Sequence, residues 1–463
     1  TAYEIPKRDW SSDVCSSDLH ALKTLMAPIL ITQLAQAGYG FIDTVMAGQV
    51  SPLDLSAVAI GSSVWLPLFL LISGIVMATT PLVAAAYGAK QYQDIPRITH
   101  QALWLGLGIG LLGMLVIQHI SFIFPLLGVP SHLQAKTELY LQGVSFGMPA
   151  VALFCVLRFY SEALGHTKPI MLISLLGILL NIPVNYLFIY GLWGLPKMGG
   201  AGCGWATAIV MTSMMLVLLA YVLLSPAFKQ TRLLGHSLKP DLTRIWQISK
   251  LGVPIGAAIF FEVSLFSCIA VLVSPLGELF VAAHQVALSV TSMLFMVPLS
   301  LAISMTIRVG HAYGRKDIHG ILLTRQVGFI TTTTIACCSA LFIIFCSDYI
   351  TRLYTPDAQV QQIATELLLF AAAYQIFDAL QVGAAGCLRG IQNTRSPMIM
   401  TLIAYWIVAL PAGYGLAMWP LWNGQALGVY GFWVGLVVGL GVACGLLNWR
   451  LNRSLKRLQK QWA

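Results

Sequence analysis

Charge is scarce in this chain of 463 residues. Lys, Arg, Asp and Glu make up 9% of it, against about 25% in a soluble globular domain, which excludes a water-soluble fold. Nucleotide chemistry is missing too. No GxxxxGK[ST] occurs, and the longest loop expected between apolar segments, around 226–242, is too short for a nucleotide-binding domain. Any transport is therefore driven by ion gradients. There is no D-x-x-D cluster of the sort that binds metal diphosphates and no Ser/His/Asp set gathered at a membrane face, which argues against an embedded enzyme. The nine cysteines show no metal-ligand spacing. Buried membrane cysteines behave as small apolar residues, so neither a disulfide nor a metal cluster is expected, and no cofactor.

What the chain does have is apolar sequence: 58% of its residues are hydrophobic. Runs close to the ~20 residues that cross a bilayer lie near 21–47, 54–80, 98–124, 136–158, 168–190, 199–225, 243–273, 277–305, 319–346, 358–387, 395–420 and 425–449. The expected fold is an all-α polytopic membrane protein with 12 transmembrane helices.

The chain also repeats itself. "AYGAK" at 86–90 returns as "AYGRK" at 312–316, 226 positions later. The same offset pairs Pro28 with Pro254, Leu53 with Leu279, Ala57 with Ala283 and Pro130 with Pro356. Further on the offset is 228, where "TEL" at 137–139 meets "TEL" at 365–367. A register that drifts so little marks a duplicated unit. Six segments fall in each half, so the two repeats run in the same direction. The expected organisation is a six-helix lobe over 20–225, a cytoplasmic linker over 226–242, a second lobe over 243–450 and a basic cytoplasmic tail over 451–463.

Of the 26 Lys and Arg residues, 20 fall in the loops after even-numbered segments or in the C-terminal tail, and three (Lys136, Lys197, Arg352) in loops after odd-numbered ones. By the positive-inside rule both termini of this multi-pass membrane protein are cytoplasmic. The net charge of +9 then reflects topology and anionic headgroups. Nucleic acid is not an expected partner, because the basic residues are spread over many short loops. Residues 8–19, "RDWSSDVCSSDL", lack the basic-then-apolar pattern of a signal peptide. They match the conceptual translation of a sequencing-library adapter, so 1–19 is expected to be a non-native segment and carries no functional argument.

A membrane protein of two six-helix halves is a transporter, a channel, a lipid flippase or an embedded enzyme. Ionisable residues inside the spans narrow this, because a charge in hydrocarbon is costly and its default reading is functional. Asp43, Glu262 and Asp378 are the candidates. Through the repeat register Glu262 corresponds to Gln36, Asp378 to Ala150 and Asp43 to Ile269, so the acids break the symmetry of the halves. Each also has a plainer role open to it: Asp43 as an interfacial residue, Glu262 and Asp378 as hydrogen-bonded structural groups. Asn181 and Asn185 stand one helical turn apart on one face, either as helix-packing amides or as cation ligands. His284 and Gln285 read first as packing or hydrogen-bonding groups. Glu162, four residues from Arg158, reads as half of a solvated ion pair near a span end.

These residues carry a family resemblance. "FIDTVMAG", "AAAYGAK", "EALGHTKPIM", "GVPIG", "FFEVSLF", "AAHQVA" and "ALQVGAAGCLRGIQNTRSPM", in this order from about residue 20 to about 450, resemble the multidrug and toxic compound extrusion (MATE) transporters, in their bacterial NorM-type branch. The resemblance implies the broader MOP superfamily fold and an inner-membrane antiporter that exchanges Na⁺ or H⁺ for amphipathic, often cationic drugs through a cleft between two lobes. It implies cation coupling at Asp43, Glu262 and Asp378, with Asn181, Asn185 and Tyr374 assisting, and a substrate contact at Gln285. Physical chemistry is compatible with these roles. Desolvation favours the neutral form of a buried carboxyl, which then releases its proton when the cleft wets or a cation arrives. Na⁺ is a hard cation that suits carboxylate and hydroxyl oxygens, such as those of Glu262, Asp378 and Tyr374. An organic cation competes for the same charge while its rings stack on Phe261, Phe295 or Phe377. The expected partners are small amphipathic cations and the lipid bilayer, with no nucleotide, and the expected working unit is a monomer. The alternative is a lipid-linked saccharide flippase of the same superfamily, which would line its cavity with several Arg or Lys.

Overall fold

The computed structural model describes residues 12–124, 130–234, 239–420 and 426–462. Residues 1–11 of the segment expected to be non-native lie outside the described residues, while 12–19 open the first helix. Among the described residues there are 12 helices long and apolar enough to cross a membrane. The first lobe holds α1 (Ser12–Val50), α2 (Pro52–Gly88), α3 (Asp94–His119), α4 (Ser131–Ala163), α5 (Lys168–Tyr190) and α6 (Gly199–Leu224). The second holds α7 (Leu242–Leu276), α8 (Glu278–Gly314), α9 (Ile318–Tyr354), α10 (Ala358–Gly390), α11 (Arg395–Met418) and α12 (Val429–Trp462).

Several helices outrun the apolar runs that announce them, because backbone hydrogen bonding continues past the hydrocarbon edge until a cap ends it. α2 and α8 reach Gly88 and Gly314 and finish in the duplicated motif. Lys90 (φ 59°) and Lys316 (φ 56°) both take the left-handed conformation that closes a helix C-terminus. In each turn the lysine N–H donates to the tyrosine carbonyl at 3.0 Å, Tyr87 in one and Tyr313 in the other, and the next N–H reaches back to Ala86 or Ala312 at 2.9 Å. Asp241, Asp317 and Asp357 cap the N-termini of α7, α9 and α10. Residues 451–462, expected as a separate tail, continue α12. Leu451 and Leu455 are buried there, and Arg453 and Lys456 face out.

The duplicated motifs are also where the lobes meet. A Cβ on Gly88 would strike the His311 carbonyl, and one on Gly314 would strike the Ala85 carbonyl. Gly88 and Gly314 are repeat partners, as are Ala85 and His311, so the contact is a pseudo-symmetric pair in which each helix end presses a glycine on the other's backbone. The His311 ring makes a 2.7 Å hydrogen bond to the Ala163 carbonyl, and Tyr87 packs on the same ring. Deeper in, Gly74 abuts Gly256, and Ile29 packs with Ile303 and Ile307. All these contacts lie in the half of the molecule nearest the loops rich in Lys and Arg, hereafter the basic face. Toward the opposite face Phe41 of α1 is 72% exposed.

Candidate functional site

Each lobe brings intramembrane acids to a polar cluster, but the two clusters differ in how those acids are satisfied. In the first lobe Asp43 sits seven residues before the end of α1, roughly 10 Å along the axis, and only 3% of it is exposed. It is enclosed by protein. Its Oδ1 accepts from Asn185 Nδ2 at 2.7 Å and from Asn181 Nδ2 at 3.4 Å, and its Oδ2 accepts from Thr207 Oγ1 at 2.9 Å. Asn185 Nδ2 also donates to Asn181 Oδ1 at 3.0 Å. The sequence-predicted trio of Asp43, Asn181 and Asn185 therefore converges from α1 and α5. Thr207 of α6 was not anticipated.

The second-lobe cluster is built on α7, α10 and α11. Asp378 is fully buried at 0% exposure, and neither carboxyl oxygen has a hydrogen-bond partner among the described residues. Tyr374 precedes it by one helical turn on α10, and Glu262 of α7, half-buried, lies within electrostatic reach of both. Gln381 Nε2 donates to the Tyr405 hydroxyl at 3.1 Å, while Gln381 Oε1 has no partner. Tyr405 lies in a π-helical stretch of α11, Ile403–Ala409, a local unwinding frequent at functional sites. The next residue, Trp406, donates its indole N–H to the Phe261 carbonyl at 3.2 Å and so fixes the turn of α7 that carries Glu262. Tyr405 and Gln381 escaped the sequence reading, and their only signal was polarity inside an apolar run.

The expected substrate contacts are less gathered. Phe261 adjoins Glu262, and Phe377, beside Asp378, is 37% exposed. Gln285 is exposed on α8 and Phe295 half-buried on the same helix; neither shares a side-chain hydrogen bond or ring contact with the Glu262 and Asp378 cluster. The neighbour of Gln285, His284, is buried and accepts at Nδ1 from the Trp433 indole at 3.2 Å, and Trp433 packs on Tyr374.

One expectation is corrected. Arg158 and Glu162 do pair, at 2.7 Å, but the pair is not solvated, since their side chains are 4% and 1% exposed. Arg158 also donates to Gln36 Oε1 and Gln33 Oε1 of α1, each at 2.9 Å. The helix 1 amides complete the shell of the guanidinium and make its burial tolerable. Among the described residues no group of three or more His, Cys, Asp or Glu could hold a metal ion.

Two pseudo-symmetric six-helix lobes, joined at one face and each carrying intramembrane acids, define a multi-pass membrane transporter built from a parallel repeat. The MatE family model matches residues 28–187 and again 254–414, once in each lobe, and the chain belongs to that family of transporters. Its sequence is 50% identical over 444 residues to "Probable multidrug resistance protein NorM" of Acinetobacter baylyi, covering 96% of this chain and 98% of that one. It is 45% identical to "Multidrug resistance protein PmpM" of Pseudomonas aeruginosa (96% and 93% covered) and 43% identical to NorM of Vibrio cholerae (92% and 93% covered). The fold is shared with the eukaryotic MATE transporter AtDTX14, at a TM-score of 0.86 and 19% identity with 97% and 100% of the chains covered. It is shared equally with an outward-facing MATE-family transporter of the MOP superfamily, at a TM-score of 0.85 and 20% identity with 96% and 97% covered.

Proposed function

We propose that this chain is a secondary active antiporter that exports amphipathic, mostly cationic compounds in exchange for Na⁺ or H⁺. It works as a monomer in a bacterial inner membrane, with both termini and the basic face in the cytoplasm. The observation that carries this reading is the contrast between the clusters. Asp43 has three neutral donors, whereas Asp378 is buried with none and has a second carboxylate, Glu262, within electrostatic reach. An ionised carboxylate cannot stay buried unpaired, so Asp378 holds a proton or a cation, and exchanging one for the other is the elementary event of coupling. The names of the relatives, multidrug resistance proteins, support a broad range of organic substrates.

Coupling follows from shared charge. With the lobes joined on the cytoplasmic side, the cleft is open to the exterior. The incoming ion neutralises Glu262 and Asp378, with the Tyr374 hydroxyl as a neutral oxygen beside them, and thereby removes the charge that holds an organic cation. The two occupants exclude each other, and each favours one arrangement of the lobes. The test is ethidium efflux from proteoliposomes under an imposed Na⁺ gradient or an imposed pH gradient. One gradient drives uphill efflux in the wild type, and Glu262→Gln and Asp378→Asn abolish it. Indifference of the wild type to both gradients refutes the antiporter and moves the saccharide flippase forward. Loss with Asp43→Asn alone moves the coupling site to the first lobe.

A further inference from the structure

The buried Arg158 has no counterpart at its own repeat position in the second lobe. Its guanidinium lies between α4 and α1, ligated by three side-chain oxygens, Glu162 Oε1 at 2.7 Å and Gln33 and Gln36 Oε1 at 2.9 Å. The first lobe thus carries a permanent organic cation of its own. The turns that end α4 and α10 set the local register of the repeat. Gly165 and Gln392 both take positive φ there, at 87° and 60°, and both donate an N–H to the residue three before at 2.9 Å, Glu162 and Arg389. This pairs Glu162 with Arg389 and Arg158 with Ala385, whose neighbour is Gly386. Around the second-lobe counterpart of the guanidinium, the repeat puts Glu262 where Gln36 stands and Ile259 where Gln33 stands. The lobe that gained a carboxylate on α7 has only a methyl group at the repeat position of Arg158; its α10 guanidinium, Arg389, stands one turn further along and is the positive charge within electrostatic reach of Glu262.

We infer that the space between Glu262 and Ala385 is a subsite for the cationic head of the substrate, and that it selects heads bearing N–H donors, of guanidinium, amidinium or primary ammonium type, over fully alkylated ones. Resting on the antiport reading above, it specifies the substrate class at the same site. Two observations apart from the symmetry point to a ligand with donors. Asp378 is fully buried with both oxygens unpartnered, and Gln381 Oε1, also buried, has no donor. Asp378, Gln381 and Ala385 follow one another at helical spacings of three and four along α10, so they share a face of that helix. The charges agree. Arg158 and Glu162 cancel each other, with Asp43 held apart in its own cluster of neutral donors, whereas around Arg389, with both carboxyls ionised, Glu262 and Asp378 leave one negative charge in excess, room for one monovalent cation. Arg389 forms the floor: its Nε donates to the Ala385 carbonyl and its Nη1 lies 3.4 Å from Met77 Sδ of the other lobe, which bars a cation from passing deeper.

The experiment is competition against ethidium bound to the full-length protein in detergent, using benzamidinium and benzyltrimethylammonium, two monovalent aromatic cations that differ in N–H donors. Benzamidinium should displace ethidium at a concentration about tenfold lower, the worth of one charge-assisted hydrogen bond, about 1.4 kcal/mol. Equal displacement overturns the inference. Ala385→Arg, which supplies a guanidinium at the repeat position of Arg158, should weaken ethidium binding at least about tenfold more than Ala385→Met, which adds similar bulk without charge. Equal losses would show that bulk alone acts and overturn it as well. If the wild type moves ethidium under an ion gradient yet does not distinguish the competitors, only this inference falls. If it neither binds nor moves ethidium, the antiport reading falls first and takes this one with it.

Discussion

The glycine pair at the lobe junction makes the strongest quantitative claim about the transport cycle. A methyl group at residue 88 or 314 would overlap a backbone carbonyl of the other lobe. A carbonyl inside a helix cannot swing away as a side chain can, so relief requires the helix ends to part. Overpacking of this kind costs about 1–3 kcal/mol, and the cost falls only on the joined state. Gly88→Ala or Gly314→Ala should therefore shift the balance toward lobes parted at the basic face by roughly 5- to 150-fold. Spin labels at the exposed positions Gln93 and Arg315, one on each lobe beside the junction, report the separation by pulsed electron resonance. Each substitution should add or enlarge a long-distance population, and the double variant should enlarge it further. Gly108→Ala is the control, because a methyl there meets nothing within 4 Å while the same helix propensity is gained. Unchanged distance distributions in Gly88→Ala and Gly314→Ala, in protein that stays folded, would refute the assignment of this contact as the seal.

Three further outcomes are expected. Glu162→Gln leaves the buried Arg158 without a counter-charge and should cost about 3–5 kcal/mol, whereas Arg158→Met combined with Glu162→Leu should recover most of it; thermal unfolding midpoints in detergent decide, and equal losses refute. Leu455→Ala should destabilise by about 2–5 kcal/mol because that side chain is buried in the last turns of α12, while Lys456→Ala stays within about 0.5 kcal/mol; a free tail would make both neutral. Trp406→Phe removes the donor to the Phe261 carbonyl and should lower the apparent affinity for the coupling ion by about fivefold, the worth of roughly 1 kcal/mol, with the efflux rate at saturating ion retained; an unchanged ion titration refutes the positioning role.

How far these features were legible beforehand depends on which physical signal each one leaves in a linear string. Hydropathy and the distribution of Lys and Arg act on every residue of a span, so twelve helices and their parallel repeat could be read directly. Helix ends are set by single caps, and Lys90 and Lys316, which stop α2 and α8 in a conformation rare outside glycine, look like ordinary basic loop residues. Acids and amides in hydrocarbon announce themselves because their burial is expensive, hence Asp43, Asn181 and Asn185. Thr207 does not. A helical threonine ordinarily returns its hydroxyl to the carbonyl four residues back, as Thr32, Thr44 and Thr212 do here, and nothing local tells the one that turns outward to a carboxylate. Arg158 and Glu162 were misjudged for a related reason. Their spacing reveals a pair, but whether it is wet depends on Gln33 and Gln36, more than a hundred residues away in sequence. The echo of AYGAK in AYGRK falls between these cases. The repetition was visible at once, yet its use required two helix ends, each harmless alone, to be brought face to face, so that each glycine answers the backbone of the other copy.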